Sequence, residues 1–222
     1  MGKVITYSRP EPVIGQMTGL ITVPDGWTKE EKLPMILFLH GAGERGKSTP
    51  ETVERVRVHG IAKYFCADPD YHGLRVITAS PQCPEDMVWD HITTQLLDWM
   101  QAVIEEYGAD TERIALTGLS MGGYGTWNML TMYPDLFCCA APICGGGVSW
   151  FARQRLGGKK IRVFHSVDDD LVPYERSVEM ASAAQMSGAQ VELTTYMHEG
   201  HGSWVKAYEQ TDLIEWLCTT TK

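Results

Sequence analysis

The chain has 222 residues and is 44% hydrophobic and 21% charged, a composition that excludes a disordered or coiled-coil protein and predicts one domain over residues 1–222. Its formal net charge of −9 argues against a nucleic-acid partner, because phosphate binding needs a basic face and the chain has no Lys/Arg cluster. No apolar run approaches the roughly 20 residues that cross a bilayer, so no membrane partner is expected.

The first predicted elements are two segments, Val4–Tyr7 and Met17–Val23. No helix-sized spacer separates them, so they are expected to form an antiparallel hairpin at one edge of a sheet. Six short apolar runs follow, each bounded by Gly, Pro or Asp. They are typical of buried parallel strands, which lack the alternation of half-exposed strands. In chain order these runs are Met35–Leu39, Arg75–Ala79, Ile114–Thr117, Cys138–Ile143, Ile161–Phe164 and Val191–Tyr196.

Segments with helical spacing lie between these strands, at Thr94–Tyr107, Tyr124–Tyr133 and Ser177–Ser187. Alternating strands and helices predict right-handed crossovers and a mostly parallel central sheet with helices on both faces. With the edge hairpin, this α/β pattern matches the α/β-hydrolase fold. The span between Ile143 and Ile161 is too short for a cap domain, so we expect an open site at the carboxyl ends of the strands.

The most informative segment is Gly118-Leu119-Ser120-Met121-Gly122, which follows an apolar strand and precedes a helix. A strand that turns into a helix within so few residues forces the central serine into a strained conformation, and only small neighbours leave room for the turn. A Gly-rich turn without function is the alternative. The strand before it and the helix after it favour Ser120 as a nucleophile.

A glycine-rich loop follows the Met35–Leu39 strand, with the sequence His40-Gly41-Ala42-Gly43-Glu44-Arg45-Gly46. Its backbone can approach a ligand closely because glycine lacks a side chain. We predict that the amides of Ala42 and Met121 form an oxyanion hole. A phosphate cradle is the weaker alternative, since no Gly-Lys-Ser/Thr run opens a helix here.

Three consecutive aspartates follow the Ile161–Phe164 strand, and we expect one of them to orient the catalytic base. Asp169 is the first choice, then Asp168 and Asp170. A solvated loop or a metal site is the alternative interpretation of such a run.

Past the Val191–Tyr196 strand, His201 lies between Gly200 and Gly202 and is predicted to be the general base. A zinc site formed by His198 and His201 is disfavoured, because the helical His-Glu-x-x-His spacing is absent. No metal and no cofactor are therefore expected. The chain order serine, aspartate, histidine is that of an α/β-hydrolase triad. It predicts ester hydrolysis through an acyl-enzyme, with activity that falls as His201 protonates below neutral pH.

Aromatic residues in or beside the loops at this edge are candidate substrate contacts, although each could equally cap the core. Trp89, Trp204 and the backbone of Gly41 are the predicted substrate-binding residues. The other aromatic residues in these loops are Trp150, Phe151 and Tyr174.

Taken together, the His40–Gly46 loop, Pro81-Gln82-Cys83-Pro84, the segment Gly118–Gly125 and Gly200-His201-Gly202-Ser203-Trp204 resemble the small esterases of the phospholipase/carboxylesterase and feruloyl-esterase-like group. The resemblance runs from about Leu33 to the C-terminus. It implies the α/β-hydrolase fold and supports Asp169 as the triad acid. Relatives often have Gly after the strand-end histidine and Asp one residue further on, where this chain has Ser166 and Val167.

Members of this group include short-chain carboxylesterases, acyl-thioesterases, cinnamoyl esterases and predicted peptidases, so the resemblance does not select a substrate. We expect a small-molecule or sugar-attached ester, with short-chain or aromatic acyl groups. A serine peptidase of the same fold and a catalytically silent binding protein are the alternatives. The oligomeric state is left open.

The six cysteines indicate a compartment. Four of them lie in apolar or strand-like surroundings and none forms a C-x-x-C pair, which favours reduced thiols although an even count allows a disulfide. The N-terminus lacks the apolar core of a secretory signal, so we expect a cytoplasmic protein. The cysteines are Cys66, Cys83, Cys138, Cys139, Cys144 and Cys218.

Overall fold

A computed structural model describes residues 1–222 and contains eight strands. The four central strands of the sheet have five or six residues that are buried on both faces, as expected for the interior of a layered α/β protein. The strands are β1 (Lys3–Glu11), β2 (Gly15–Val23), β3 (Met35–Leu39), β4 (Ile77–Pro81), β5 (Ile114–Leu119), β6 (Cys139–Ile143), β7 (Lys160–Ser166) and β8 (Gln190–Tyr196).

All eight strands form one sheet in the order β1-β2-β4-β3-β5-β6-β7-β8. Strands β1 and β2 pair antiparallel, β2 pairs antiparallel with β4, and every other pair is parallel. The predicted edge hairpin and mostly parallel sheet are therefore confirmed. Strand β4 lies two residues later than the predicted Arg75–Ala79, because Ser80 and Pro81 pair with the hairpin, a contact distant in sequence.

Seven helices cover the two faces of the sheet. Two hydrophobic cores lie on opposite faces of the sheet. Helices α2 to α5 contribute to one core, and helices α1, α6 and α7 contribute to the other. The short helices α1 and α4 were not predicted, and two further short helices, α6 and α7, follow His201. The helices are α1 (Gly60–Ala67), α2 (Thr93–Tyr107), α3 (Met121–Met132), α4 (Ser149–Arg155), α5 (Glu175–Met186), α6 (Trp204–Glu209) and α7 (Leu213–Thr219).

The connections at the carboxyl ends of the parallel strands position the candidate site. Between β6 and β7 the chain forms only α4, a helix of 7 residues, so no separate cap covers this edge of the sheet. The predicted α/β-hydrolase fold without a cap domain is thus confirmed. None of the helices combines the length and apolar character that a membrane span requires.

Candidate active site

Ser120 lies in a sharp turn between β5 and α3. Its backbone has φ 55° and ψ −120°, a conformation that non-glycine residues rarely adopt. A Cβ atom on Gly122 would lie 1.9 Å from the carbonyl oxygen of Leu39, and one on Gly118 would lie 2.4 Å from that of Gly122. Both glycines are required because the backbone segments touch. This packing holds the serine hydroxyl above the sheet edge.

The structure brings Ser120, His201 and Asp169 together in a chain of hydrogen bonds. The His201 Nε2 atom lies 2.8 Å from Ser120 Oγ, and Nδ1 lies 2.8 and 2.9 Å from the two carboxylate oxygens of Asp169. These partners assign the proton to Nδ1, which donates to the carboxylate, while Nε2 accepts from the serine hydroxyl. The arrangement is suited to removing the serine proton.

The Asp169 side chain is fully buried, yet its environment favours the charged form. Burial opposes ionisation, but the Val172 amide at 2.9 Å, the His201 ring and the Leu171 amide at 3.0 Å all donate to the carboxylate. These hydrogen bonds hold the pKa of Asp169 below its usual value. The carboxylate therefore remains ionised behind the imidazole.

The neighbouring aspartate connects the loop that carries Asp169 to the loop that carries His201. Asp168 Oδ1 accepts hydrogen bonds from the Ser166 hydroxyl at 2.5 Å and from the Gly200 amide at 2.9 Å. The Ser166 hydroxyl in turn accepts from the Glu199 amide at 3.0 Å. The Ser166 side chain therefore links the two loops by hydrogen bonds. Ser166 is also one of the two positions at which this chain differs from the sequences that it resembles. By contrast, Asp170 is exposed.

A second buried histidine, His165, touches the carboxylate and was not predicted to be functional. Its Nε2 lies 3.1 Å from Asp169 Oδ2 and 3.0 Å from the Val172 carbonyl oxygen, and its Nδ1 lies 2.8 Å from the Ser177 hydroxyl. Burial lowers the pKa of His165, which favours the neutral ring. In the neutral ring Nε2–H donates to these oxygens, and the Ser177 hydroxyl, which has one proton, lies within hydrogen-bond distance of both Nδ1 and the Gly145 carbonyl oxygen, the latter at 3.0 Å. The position of His165 directly after the predicted strand Ile161–Phe164, at the carboxyl end of β7, is the sequence signal that could have indicated it.

The predicted oxyanion donors, Ala42 and Met121, lie on either side of the nucleophile turn. Neither backbone N–H donates to any group of the protein. Met121 is the first residue of α3, so its N–H also lies at the positive end of the helix. Ala42 lies beside Ser120 in one cavity wall and beside Met121 in another. Both donors are therefore available to a ligand bound at Ser120.

Buried His40 holds the loop that carries Ala42. Its Nδ1 donates to the Gly41 carbonyl oxygen at 2.6 Å, and its Nε2 accepts from the Cys83 amide at 2.9 Å. Burial lowers the pKa of His40 from 6.5 to about 4, because no solvent stabilises the charged ring. His40 is thus neutral at physiological pH and serves as a hydrogen-bonding link.

The prediction that Trp89 contacts substrate is corrected by its burial. Its side chain is only 1% exposed, its Nε1 donates to the His40 carbonyl oxygen at 3.0 Å, and a Cβ atom on Gly125 would lie 2.6 Å from it. Trp89 therefore supports the oxyanion loop from below. The sequence placed it on an edge loop but could not show that its ring turns inward against α3.

The other aromatic residues differ in position. Trp204 is half-buried and, with Gly41, lines a cavity that also contains Ser120 and His201. Tyr174 packs against His165 and hydrogen-bonds to Thr195. Trp150 and Phe151 belong to α4, and Trp150 lines a hollow between α4 and α5 that contains no triad residue.

Two cavities open beside Ser120 and meet at Ala42. The larger one, of about 390 Å³, has mainly apolar walls; its lining residues are Ala42, Arg45, Val88, Asp90, Met121 and Tyr124. The smaller one, of about 250 Å³, contains Ser120 and His201 together with the charged or polar side chains of Glu44 and His59. Each cavity therefore combines apolar walls with charged or titratable side chains, Arg45 and Asp90 in the larger one and Glu44 and His59 in the smaller one.

Three residues could offer metal ligands, since atoms of Cys144, Asp169 and His201 lie within 4.8 Å of one another. The chemistry of this set does not suit a metal. Burial raises the pKa of Cys144 to about 12, which opposes the thiolate that metals bind. Both ring nitrogens of His201 and both oxygens of Asp169 already have hydrogen-bond partners.

Comparison with known proteins identifies the family. A family model described as "Putative esterase" matches residues 13–222. The chain belongs to this esterase family. The match confirms the resemblance to small esterases seen in the motifs.

Solved structures support the same assignment. A structure described as a thermostable esterase is 31% identical with a TM-score of 0.84, and the match covers 99% of this chain and 63% of that one. A ferulic acid esterase has a TM-score of 0.75 at 18% identity, with 98% of each chain covered, and so shares the fold. Among curated proteins, the bifunctional acetylxylan esterase/xylanase XynS20E of Neocallimastix patriciarum is 28% identical over 94 residues. That match spans 40% of this chain and 14% of the relative.

Proposed function

We propose that the protein is a serine hydrolase that cleaves carboxylic esters through an acyl-enzyme. The observation that carries this proposal is the continuous hydrogen-bond chain from Ser120 through His201 to Asp169, 2.8 Å at each junction. The nucleophile is within direct reach of a base, and the base is oriented by an ionised carboxylate. Membership of an esterase family supports the same reaction.

In the first half of the reaction, His201 Nε2 takes the hydroxyl proton as Ser120 Oγ attacks the acyl carbon. The negative charge that develops on the carbonyl oxygen is stabilised by the amides of Ala42 and Met121, and Asp169 stabilises the imidazolium. His201 then returns the proton to the alcohol oxygen as the bond between that oxygen and the acyl carbon breaks. The alcohol leaves, and the acyl group remains on Ser120.

In the second half, a water molecule attacks the acyl carbon while His201 removes its proton. The oxyanion forms again between the same two amides. When it collapses, the proton passes to Ser120 Oγ and the carboxylic acid is released. Each removal of an oxyanion donor should slow both halves by about 10²–10³-fold, because both pass through the same charge distribution.

The two cavities divide between the two parts of the ester. His201 must protonate the alcohol oxygen, so the cavity that contains His201 and Trp204 takes the alcohol. The larger cavity beside Met121, Val88 and Tyr124 then takes the acyl group. Its volume of about 390 Å³ suits a short-chain or single-ring aromatic acyl group.

The experiment that tests the function is hydrolysis of p-nitrophenyl esters with acetyl, butyryl and feruloyl groups by wild type and Ser120→Ala. We expect hydrolysis by wild type and at least a 10⁴-fold loss of kcat in the variant. A fluorophosphonate probe should label wild type and leave the variant unlabelled. Equal rates for the two proteins, or no labelling of folded wild type, would refute the proposal.

We also propose a cytoplasmic location, which is supported by the state of the thiols. All six cysteines are unpaired, and the adjacent Cys138 and Cys139 have sulfur atoms 3.9 Å apart without a bond. Reduced thiols persist in reducing compartments. Mass tagging of thiols in freshly quenched cells should count six free cysteines, whereas a lower count would indicate an oxidising compartment.

A further inference from the structure

The alcohol cavity contains a buried carboxylate that the triad does not use. Glu44 is 5% exposed and lies at the end of the short helical turn Ala42–Glu44. A Cβ atom on Gly41 would lie 3.3 Å from its Oε2 and 3.6 Å from the Cβ of Ser120. The carboxylate is thus separated from the nucleophile by little more than the Gly41 backbone.

No group of the protein donates a hydrogen bond to this carboxylate. The nearest basic side-chain nitrogen is His59 Nε2, at 3.6 Å from Oε1. His40 Nδ1 lies 3.9 Å from Oε2, but its proton is given to the Gly41 carbonyl oxygen at 2.6 Å. The Glu44 oxygens are not enclosed, because neither is among the fully buried polar atoms that lack a partner, and a group bound in the cavity can therefore donate to them. The open side of Glu44 faces the cavity.

The aromatic rings of His59 and Trp204 line the cavity beside Glu44. The half-exposed ring of His59 packs against Trp204 with ring centres 5.4 Å apart, and Trp204 meets His201 edge to face at 5.3 Å. The cavity wall therefore runs from the carboxylate over an imidazole and an indole to the catalytic base. All four groups line the same cavity.

We propose that Glu44 and His59 bind a free hydroxyl group on the alcohol part of the ester, and so select hydroxylated alcohols over plain alkyl alcohols. This inference rests on the proposed ester hydrolysis. A hydroxyl suits the pair because it donates to the Glu44 carboxylate and accepts from the His59 N–H. Trp204 offers an apolar face to the carbon skeleton of the same alcohol.

A pair of butyrate esters tests the proposal directly. The 2-hydroxyethyl ester and the n-propyl ester differ only by a hydroxyl in place of a methyl group, so the ratio of their kcat/KM values isolates hydroxyl recognition. We expect wild type to favour the hydroxyethyl ester by about tenfold or more, since a site built around a polar group discriminates against an analogue that leaves it unpaired. A ratio near one would overturn the inference.

Substitutions at the carboxylate identify the group responsible. Glu44→Met, which keeps the length but accepts no strong hydrogen bond, should bring the ratio to about one. Glu44→Gln should give an intermediate ratio, because one acceptor oxygen remains. Glu85→Gln removes an exposed carboxylate that makes no ion pair and should leave the wild-type ratio unchanged. A wild-type ratio in Glu44→Met would overturn the inference, whereas general damage to the fold would lower both rates together.

Two more outcomes separate this inference from its alternatives. A cation would also be attracted to Glu44, so butyrylcholine is compared with its neutral isostere 3,3-dimethylbutyl butyrate. A preference for the choline ester that exceeds the hydroxyl preference would replace the proposal with a cation site. Cleavage of p-nitrophenyl butyrate without cleavage of either alkyl ester would overturn only this inference, and cleavage of no ester would overturn the proposed function.

Discussion

The nucleophile side of the site and the acid–base side are held by different means. Around Ser120, the backbone segments of β3, β5 and α3 are in contact, and glycines at 118 and 122 make this contact achievable. Around His201, the contacts are hydrogen bonds between loops, from Asp169 and through Asp168. One side therefore depends on steric fit and the other on polar groups far apart in sequence.

The largest expected effect separates the two aspartates on the acid–base side. Asp169→Asn should reduce kcat by about 10⁴-fold, because an amide cannot stabilise the imidazolium or fix the tautomer of His201. Asp168→Asn should reduce kcat by about tenfold or less, because it weakens only the hydrogen bonds from the Ser166 hydroxyl and the Gly200 amide and leaves the carboxylate behind the ring intact. Steady-state kinetics on p-nitrophenyl butyrate measures both. Equal losses would show that loop position, not the carboxylate behind the ring, limits catalysis.

Adding a methyl group to a glycine on each side compares steric fit directly. Gly122→Ala should lower the free energy of unfolding by at least 4 kcal/mol or prevent folding, because its Cβ would lie 1.9 Å from a backbone oxygen. Gly202→Ala, beside His201, has nothing within 4 Å of its Cβ and should change stability by less than about 1 kcal/mol. Urea unfolding measures both variants. A stable Gly122→Ala protein would contradict the steric account.

His40 is the side chain that fastens the nucleophile side, and it makes stability depend on pH. Burial lowers the pKa of its ring from 6.5 to about 4. The unfolded chain therefore takes up a proton below pH 6.5, and the folded protein does so only near pH 4. Stability should fall by about 3 kcal/mol as the pH drops across this window.

The variant His40→Gln supplies the control, because it keeps one donor and one acceptor but does not titrate. It should be less stable than wild type at pH 7 and lose less stability toward pH 4, in urea titrations at pH 7, 6, 5 and 4. Parallel losses in the two proteins would exclude His40 as the cause.

The smallest effect concerns the strained nucleophile itself. Glycine adopts φ 55° and ψ −120° without strain, whereas alanine does not. Ser120→Gly should therefore be more stable than Ser120→Ala by about 1 kcal/mol, after allowing for the greater freedom of glycine in the unfolded chain. Thermal or urea unfolding of the two inactive proteins measures the difference. Equal stabilities would mean that the turn is not strained.

The difference between the two sides also explains what the sequence could predict. The nucleophile turn is local, so the order of strand, Gly-x-Ser-x-Gly and helix was enough to locate Ser120 and the amide of Met121. The strand-end positions of Asp169 and His201 follow from the parallel sheet, whose carboxyl ends meet at one edge. The choice among three aspartates was harder, because only the fold shows that Asp168 faces Ser166.

Side-chain direction was the part that sequence could not supply. Trp89 lies on a loop at the correct edge, yet its ring is buried under His40. Glu44 was part of a recognised loop, but its unpaired carboxylate depends on where His40 and His59 point. His165 lies at the carboxyl end of β7, and only its contact with Asp169 gives it a role in the site.

The left-handed turn at Ser120 has a consequence for how this protein can change over time. If the strain lowers stability, then selection for robustness alone would favour replacing the serine by glycine, and only the need for turnover would oppose it. Directed evolution for stability without an activity screen should therefore yield inactive proteins, and we expect the loss of activity to begin with substitution of Ser120.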